Sequence, residues 1–258
     1  TYLFFTITSI LVLLIDTFVF HKNPNAYIDM LLLVGSIILC LIYFADKKEK
    51  IYDFGLGLGK NVKASIGYIL LFFVLYMCVD FLSALILGKG KKFIDAFINS
   101  EKSIALFYFP GMCILFLGEE YGWRYFFQTS LQQRLGKRTG VILLGIIWSI
   151  WHLPINLFYF SPMTPFYSIL NQFGLCIGYA IFFGFVYMKT ENIWTVSILH
   201  CLANGIAPTF NGEAGSNVVF SKELVLANLI SFCVVYLPFL FTKEYEKDKK
   251  EIGLKNEL

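Results

Sequence analysis

Charge is scarce in this 258-residue chain: Asp, Glu, Lys and Arg together make up 15% of it, against about 25% in soluble domains. Hydrophobic residues reach 57% before its 20 glycines are added, whereas soluble domains stop at about 45 to 50% with glycine included. That balance argues against an ordinary soluble globular domain. Arginine occurs only as Arg124, Arg134 and Arg138, and no dense basic stretch is interleaved with aromatics. Nucleic-acid binding therefore has no footprint. The six cysteines sit singly inside apolar runs with no CxxC pair, which excludes a disulfide framework and a cysteine zinc site. HExxH, a GxSxG-type element and a Walker loop are absent too, since the FGLGLGK stretch within Ile51–Val62 lacks the Walker spacing and reads as an interfacial turn or short amphipathic helix.

What the chain does have is eight apolar runs: 2–20, 28–45, 66–87, 104–127, 140–158, 167–188, 192–207 and 224–242. A bilayer crossing takes about 20 apolar residues, so these fill the chain and leave no room for a sizeable extramembrane domain. The expectation is an all-α, polytopic membrane protein of about eight transmembrane helices, forming one integral membrane domain over 1–258. The first run is too long for a signal-peptide core and is expected to stay as a helix. With both termini in the cytoplasm, most Lys and Arg residues outside the runs fall on the inner side, as the positive-inside rule requires. The lysines that follow the third run, Lys89, Lys91 and Lys92, are the exception.

Ionisable groups are costly in lipid and mark function by default. Here they are Asp16, Asp80, Glu119, Glu120, Arg124, His152 and His200, while His21 falls at a run end and reads as interfacial. A lone Asp16 or Asp80 reads as polar glue between helices. The others differ because they cluster on three successive runs, and a rise of about 1.5 Å per residue brings Glu119, His152 and His200 into the inner half of the bilayer. Glu120 and Arg124 stand at i and i+4 and so pair on one face, leaving Glu119 rotated away from them. His200 and Asn204 share a face in the same way. Pro154 cannot donate to the carbonyl of Ile150, which opens a kink beside His152.

Three motifs emerge in order: EEYGWR (Glu119 to Arg124) fits EExxxR, WSIWH (Trp148 to His152) resembles FxxxH with Trp in place of Phe, and HCLAN (His200 to Asn204) fits HxxxN. In this order on successive apolar segments they resemble the CAAX protease and bacteriocin-processing family, the Abi or type II CAAX prenyl endopeptidase group. The resemblance implies an intramembrane endopeptidase with a funnel-like catalytic core, here 104–207, that hydrolyses a peptide bond with a glutamate-activated water and needs no cofactor. It implies that Glu119 and His152 activate the water, that His200 and Asn204 stabilise the oxyanion, and that Glu120, Arg124 and Trp148 shape the site. The implied partners are the lipid bilayer and a membrane-associated peptide or protein. The arginine-poor composition leans toward a bacterial plasma membrane and a bacterial substrate. Other readings stay open: a zinc-dependent intramembrane protease using the two histidines and a carboxylate, a non-catalytic scaffold or bacteriocin self-immunity protein, and a transporter, for which no inverted repeat is visible.

Overall fold

The structure, a computed structural model, describes residues 55–59, 61–99, 113, 116–211 and 218–246. The runs expected at 2–20 and 28–45, together with Asp16, His21 and both chain ends, lie outside the described residues, as does most of 104–127 ahead of residue 116. Every regular element among the described residues is helical.

Helix α1 spans Val62–Ile86 and α2 spans Gly90–Asn99. Helix α3 comprises residues 116–120, a π-helical stretch Tyr121–Gln128, and Thr129–Leu135. Helix α4 is Lys137–Trp151, followed by the short turn Leu153–Ile155 and a second π-helical stretch Asn156–Phe160. Helices α5 (Pro165–Thr190), α6 (Ile193–Asn211) and α7 (Lys222–Tyr236) complete the bundle. Two 3-10 turns, Leu237–Phe241 and Lys243–Tyr245, follow α7. Val62–Ile86, Pro165–Thr190 and Lys222–Phe241 are long and apolar enough to cross a membrane, at mean hydropathy 2.5, 1.7 and 2.3.

On α1 the buried residues Ser65, Phe72, Tyr76, Val79 and Ser83 recur at helical spacing. One stripe therefore packs inward, while exposed Ile66, Leu70, Phe73 and Val74 suit contact with lipid. Helix α5 is the central post: Ala180, Ile181, Phe182, Phe183 and Val186 are fully buried. Small residues bring its neighbours close, as membrane bundles require. A Cβ on Gly145 of α4 would stand 2.7 Å from the Ile177 Cα, and one on Gly178 would stand 2.8 Å from the Tyr236 ring.

The ends are set by local chemistry. Asn61 accepts the Ala64 N–H at 3.0 Å to start α1, and Ser221 accepts the Leu224 N–H at 3.2 Å to start α7. Between α5 and α6, Asn192 caps the next helix through the Trp194 and Thr195 N–H groups and donates to the Leu58 carbonyl at 2.7 Å. Trp194 donates to the Leu56 carbonyl at 2.8 Å, so these two residues strap the 55–59 segment down as a turn, one of the two conformations expected for it.

An unforeseen helix is α2, which the run pattern left inside a connection. Lys91 and Lys92 sit on an amphipathic helix whose Ile94 and Ile98 are exposed. Lys91 and Lys92, two of the three exceptional lysines, thus belong to the polar face of a surface helix, while Lys89 precedes it.

Candidate active site

Glu119 and Glu120 stand where α3 leaves α-helical pairing and enters the π-helical stretch, a device that recurs at functional sites. Their carboxylates go to different partners. Glu120 has no exposed surface; its Oε2 accepts from Arg124 Nε at 2.7 Å, and its Oε1 meets His200 Nδ1 at 2.8 Å. Glu119 is 8% exposed, and both hydrogen bonds it receives fall on one oxygen, Oε1, from the indole N–H of Trp148 at 2.9 Å and of Trp123 at 3.3 Å. Its Oε2 receives none among the described residues.

Arg124 is sealed in the packing, with its guanidinium carbon 5.1 Å from the Trp148 ring centre and 5.5 Å from that of Phe183. Among the described residues its Nη1 and Nη2 have no hydrogen-bond partner, so the aromatic faces take the part of its charge that Glu120 does not pair.

Helix α4 breaks at His152. Its N–H turns back to the Ser149 carbonyl at 3.1 Å, and Pro154, at the start of the next turn, has no N–H with which to continue the ladder. The His152 carbonyl is instead taken by the Asn156 side chain at 3.0 Å and backbone N–H at 3.1 Å. Ser168 of α5 donates to the side-chain Oδ1 of Asn156 and anchors the arrangement. His152 Nδ1 lies 2.9 Å from the Trp148 carbonyl. A carbonyl only accepts, so Nδ1 carries the proton and Nε2 presents its lone pair.

His200 packs against Phe116 at 4.4 Å and edge-on to Trp148 at 5.3 Å between ring centres. Asn204, one turn on, is exposed and donates to the His200 carbonyl at 3.1 Å.

Glu119, Glu120, Arg124, Trp148, His152 and His200 therefore meet in one place, and Asn204 stands at its edge. Glu119, His152 and His200 are mutually within electrostatic range. Among the described residues, Glu119 Oε2, His152 Nε2 and His200 Nε2 make no hydrogen bond. Among the described residues, no group of three His, Cys, Asp or Glu side chains is arranged to hold a metal ion.

The motif reading passed over Trp123 and Asn156. Trp123 stands at i+4 from Glu119 and Asn156 at i+4 from His152, the spacing that had paired Glu120 with Arg124. Phe116 and Phe183 carried no signal, being aromatics among 28 phenylalanines.

Comparison with known proteins bears on the same segment. Residues 101–206 match the family model "Type II CAAX prenyl endopeptidase Rce1-like". A stretch of 54 residues is 43% identical to CAAX prenyl protease 2 of Methanococcus maripaludis, covering 21% of this chain and 19% of that protein. No solved structure matches. The resemblance carried by the three motifs is thus borne out over the residues that build the site, and residues 101–206 are similar to the type II CAAX prenyl endopeptidases of the Rce1-like family.

Proposed function

We propose that the chain is an intramembrane endopeptidase that cleaves a membrane-associated peptide or protein, with water activated by Glu119 and His152. The observation that carries this reading is the divided carboxylate of Glu119: two indoles hold Oε1, and Oε2 has no hydrogen-bond partner among the described residues, with His152 and His200 within electrostatic range. Peptide hydrolysis needs a base for water and donors for the developing oxyanion. Glu119 Oε2 takes one proton of the attacking water. His152 Nε2, held as a lone pair by the bond from Nδ1, accepts the water's other hydrogen and so orients it, and the proton taken up by Glu119 goes on to the departing amine.

His200 is the oxyanion donor. Glu120 fixes its Nδ1, so a proton on Nε2 points into the site, and an imidazolium there balances the second carboxylate that Arg124 alone leaves uncompensated. Asn204 spends one amide hydrogen on its own helix and offers the other toward the substrate oxygen. Glu120, Arg124 and Trp148 keep these groups in register. The orientation with both chain ends in the cytoplasm makes the substrate cytoplasmic or inner-leaflet.

Proteome-wide mapping of new N- and C-termini in membranes that carry the active chain, against membranes carrying Glu119→Ala, tests the proposal. Termini that appear only with the active chain are the expected result. Identical sets from the two, with both chains present at equal amounts, would leave a scaffold or immunity role in its place.

A further inference from the structure

The glycine-rich stretch at 55–59 has no part in the proposed chemistry, yet it is firmly placed and walls a cavity of about 660 Å³. Gly55, Gly57 and Gly59 form one side of this space, and α3 with the end of α5 forms the other. The stretch lies so close to its neighbours that only glycine fits at two points. A Cβ on Gly55 would stand 2.2 Å from the Tyr125 ring, and one on Gly59 would stand 2.2 Å from the Thr190 carbonyl oxygen. Both glycines also have left-handed backbone, at φ 71° and 70°. With the Leu58 and Leu56 carbonyls held by Asn192 and Trp194, this wall is preformed.

The chemistry of the lining is one-sided. Glu191, the residue that ends α5, gives it its only formal charge among the described residues. That residue stands at φ 48°, the one left-handed position among them that is not glycine. Glycine or asparagine is usual at such a helix end, so a carboxylate is kept here against the preference of the backbone, as happens where a side chain is used. Thr129 and Ser130 spend their hydroxyl hydrogens on the Arg124 and Phe126 carbonyls, at 3.4 and 2.8 Å, and keep only lone pairs to offer. Tyr125, Phe126 and Tyr187 add aromatic rings. No Lys, Arg or His lines the cavity among the described residues.

A carboxylate, hydroxyl lone pairs and aromatic rings all favour positive charge and none of them favours an anion. A bare divalent ion is a poor occupant, because one carboxylate is too few for a calcium site, and the volume is that of a pocket for a carbon-bearing ligand. We propose that this cavity binds a primary ammonium group, with Glu191 as its counter-ion and the rings of Tyr125, Phe126 and Tyr187 beside its carbon chain. Its depth favours one source of that group. Helix α1 begins just after Gly59 and α5 ends just before Glu191, and both are long and apolar enough to cross a membrane. The cavity is therefore level with the ends of two spans, in the layer where tyrosines gather and lipid headgroups lie, which favours the amine of an ethanolamine phospholipid over a free amine. Glu119, Glu120, His152 and His200 do not line it, and the inference does not depend on the chain being a protease.

The test is thermal unfolding of the purified full chain in a non-ionic detergent, titrated in parallel with dihexanoyl phosphatidylethanolamine, dihexanoyl phosphatidylglycerol and ethanolamine hydrochloride at constant ionic strength. A ligand that binds only the folded chain raises Tm as its concentration passes Kd, by about 4 °C at about tenfold Kd. The ethanolamine lipid should give this rise and the glycerol lipid, with the same chains and no amine, should not. Glu191→Gln, which keeps the size of the side chain and removes its charge, should need about tenfold more of the lipid for the same rise. Tyr187→Leu, which removes one ring, should also need more, and it carries the test should Glu191→Gln fail to fold. An equal rise with ethanolamine alone would keep the ammonium site and give it to a soluble amine. Equal rises with the two lipids, no rise with either amine, or a response to the ethanolamine lipid equal in wild type and both variants would overturn the proposal.

Discussion

Two polar clusters are buried a few ångströms of aromatic packing apart in this bundle, and they are built on opposite plans. Around Glu120, each carboxylate oxygen has a charged or ring N–H donor, and the side chains are tied across α3 and α6. Around Asp80, its Oδ2 and the Tyr236 hydroxyl of α7 are enclosed with no hydrogen-bond partner among the described residues. An apolar medium supplies no water to either. The first cluster has met that demand from its own residues and so holds a fixed geometry; at the second, these two atoms have no partner. Between these extremes stands Glu119, with one oxygen saturated and the other open, which is the arrangement of a group that must stay put and still react.

The sharpest break of this comparison is Glu119→Gln. The amide oxygen still accepts both indoles, so packing survives, while the base is gone. Turnover should fall by about 1000-fold or more, with Tm in detergent within about 2 °C of wild type. The cleavage rate on a substrate recovered from the termini screen measures the first and a melt the second. Loss of folded protein equal to the loss of activity would make Glu119 another member of the saturated cluster.

Next in size is Arg124→Ala, which strands Glu120 with only His200 beside it. Removing one partner of a buried pair costs about 3 to 5 kcal/mol. The expected outcome is a much lower yield of folded, monodisperse protein and a lower Tm. A variant as stable as wild type would show that His200 and the surrounding rings alone hold Glu120.

Much of this plan is legible in the chain itself, and the limit lies at a definite place. Apolar runs locate α1, α5 and α7 to within a few residues because lipid demands them. The i, i+4 spacing foresees the Glu120–Arg124 pair because both residues ride one helix. It also puts Asn204 beside His200, though not the turn of its amide back onto the His200 carbonyl. What spacing along one helix does not carry is contact between helices: His200 on Glu120, 80 positions away, and Trp148 on Glu119, 29 positions away, depend on how α3, α4 and α6 pack. The same limit hid the packing of Tyr179 against Tyr236. The π-helical stretch in α3 leaves no periodic signature in eight residues, and α2 was concealed by being too short and too charged to register as an apolar run.

Asn204→Ala sharpens the distinction between groups spent on structure and groups kept for reaction. Its exposed amide has one hydrogen on its own helix and one free, so the fold should hardly change, while loss of an oxyanion donor lowers kcat by about 100-fold. A fall in Tm with kcat unchanged would assign Asn204 to the helix alone. A smaller effect is expected of Trp123→Phe, which removes the longer of the two indole bonds to Glu119 and keeps an aromatic wall. One hydrogen bond to a charged group is worth about 1.5 kcal/mol or somewhat more, and with Trp148 still in place kcat should fall about tenfold with KM unchanged. If Trp148→Phe, which removes the 2.9 Å bond, costs less than Trp123→Phe, the order of the two donors is reversed.

The smallest effect belongs to the pair that lies in water. Lys189, near the end of α5, and Glu244, in the last 3-10 turn, make an ion pair of the same chemistry as Arg124–Glu120, but their side chains are 39% and 20% exposed. The bond from Lys189 holds the Glu244 carboxyl below its usual range. A lowered acid pKa adds stability that is present above the unfolded value and fades as pH falls through the folded one, which places the loss below about pH 4. Exposure limits the amount, since such pairs are worth about 0.5 kcal/mol. Glu244→Gln should therefore lower Tm at pH 7 by about 1 to 2 °C, and by less still at high salt, where exposed charges are screened. The same substitution at Glu120, which salt does not reach, should show no such relief. A Glu244→Gln penalty as large as that of Arg124→Ala would mean that the end of the bundle where Lys189 and Glu244 meet is as dry as its centre, and the contrast between the two pairs would no longer follow from burial.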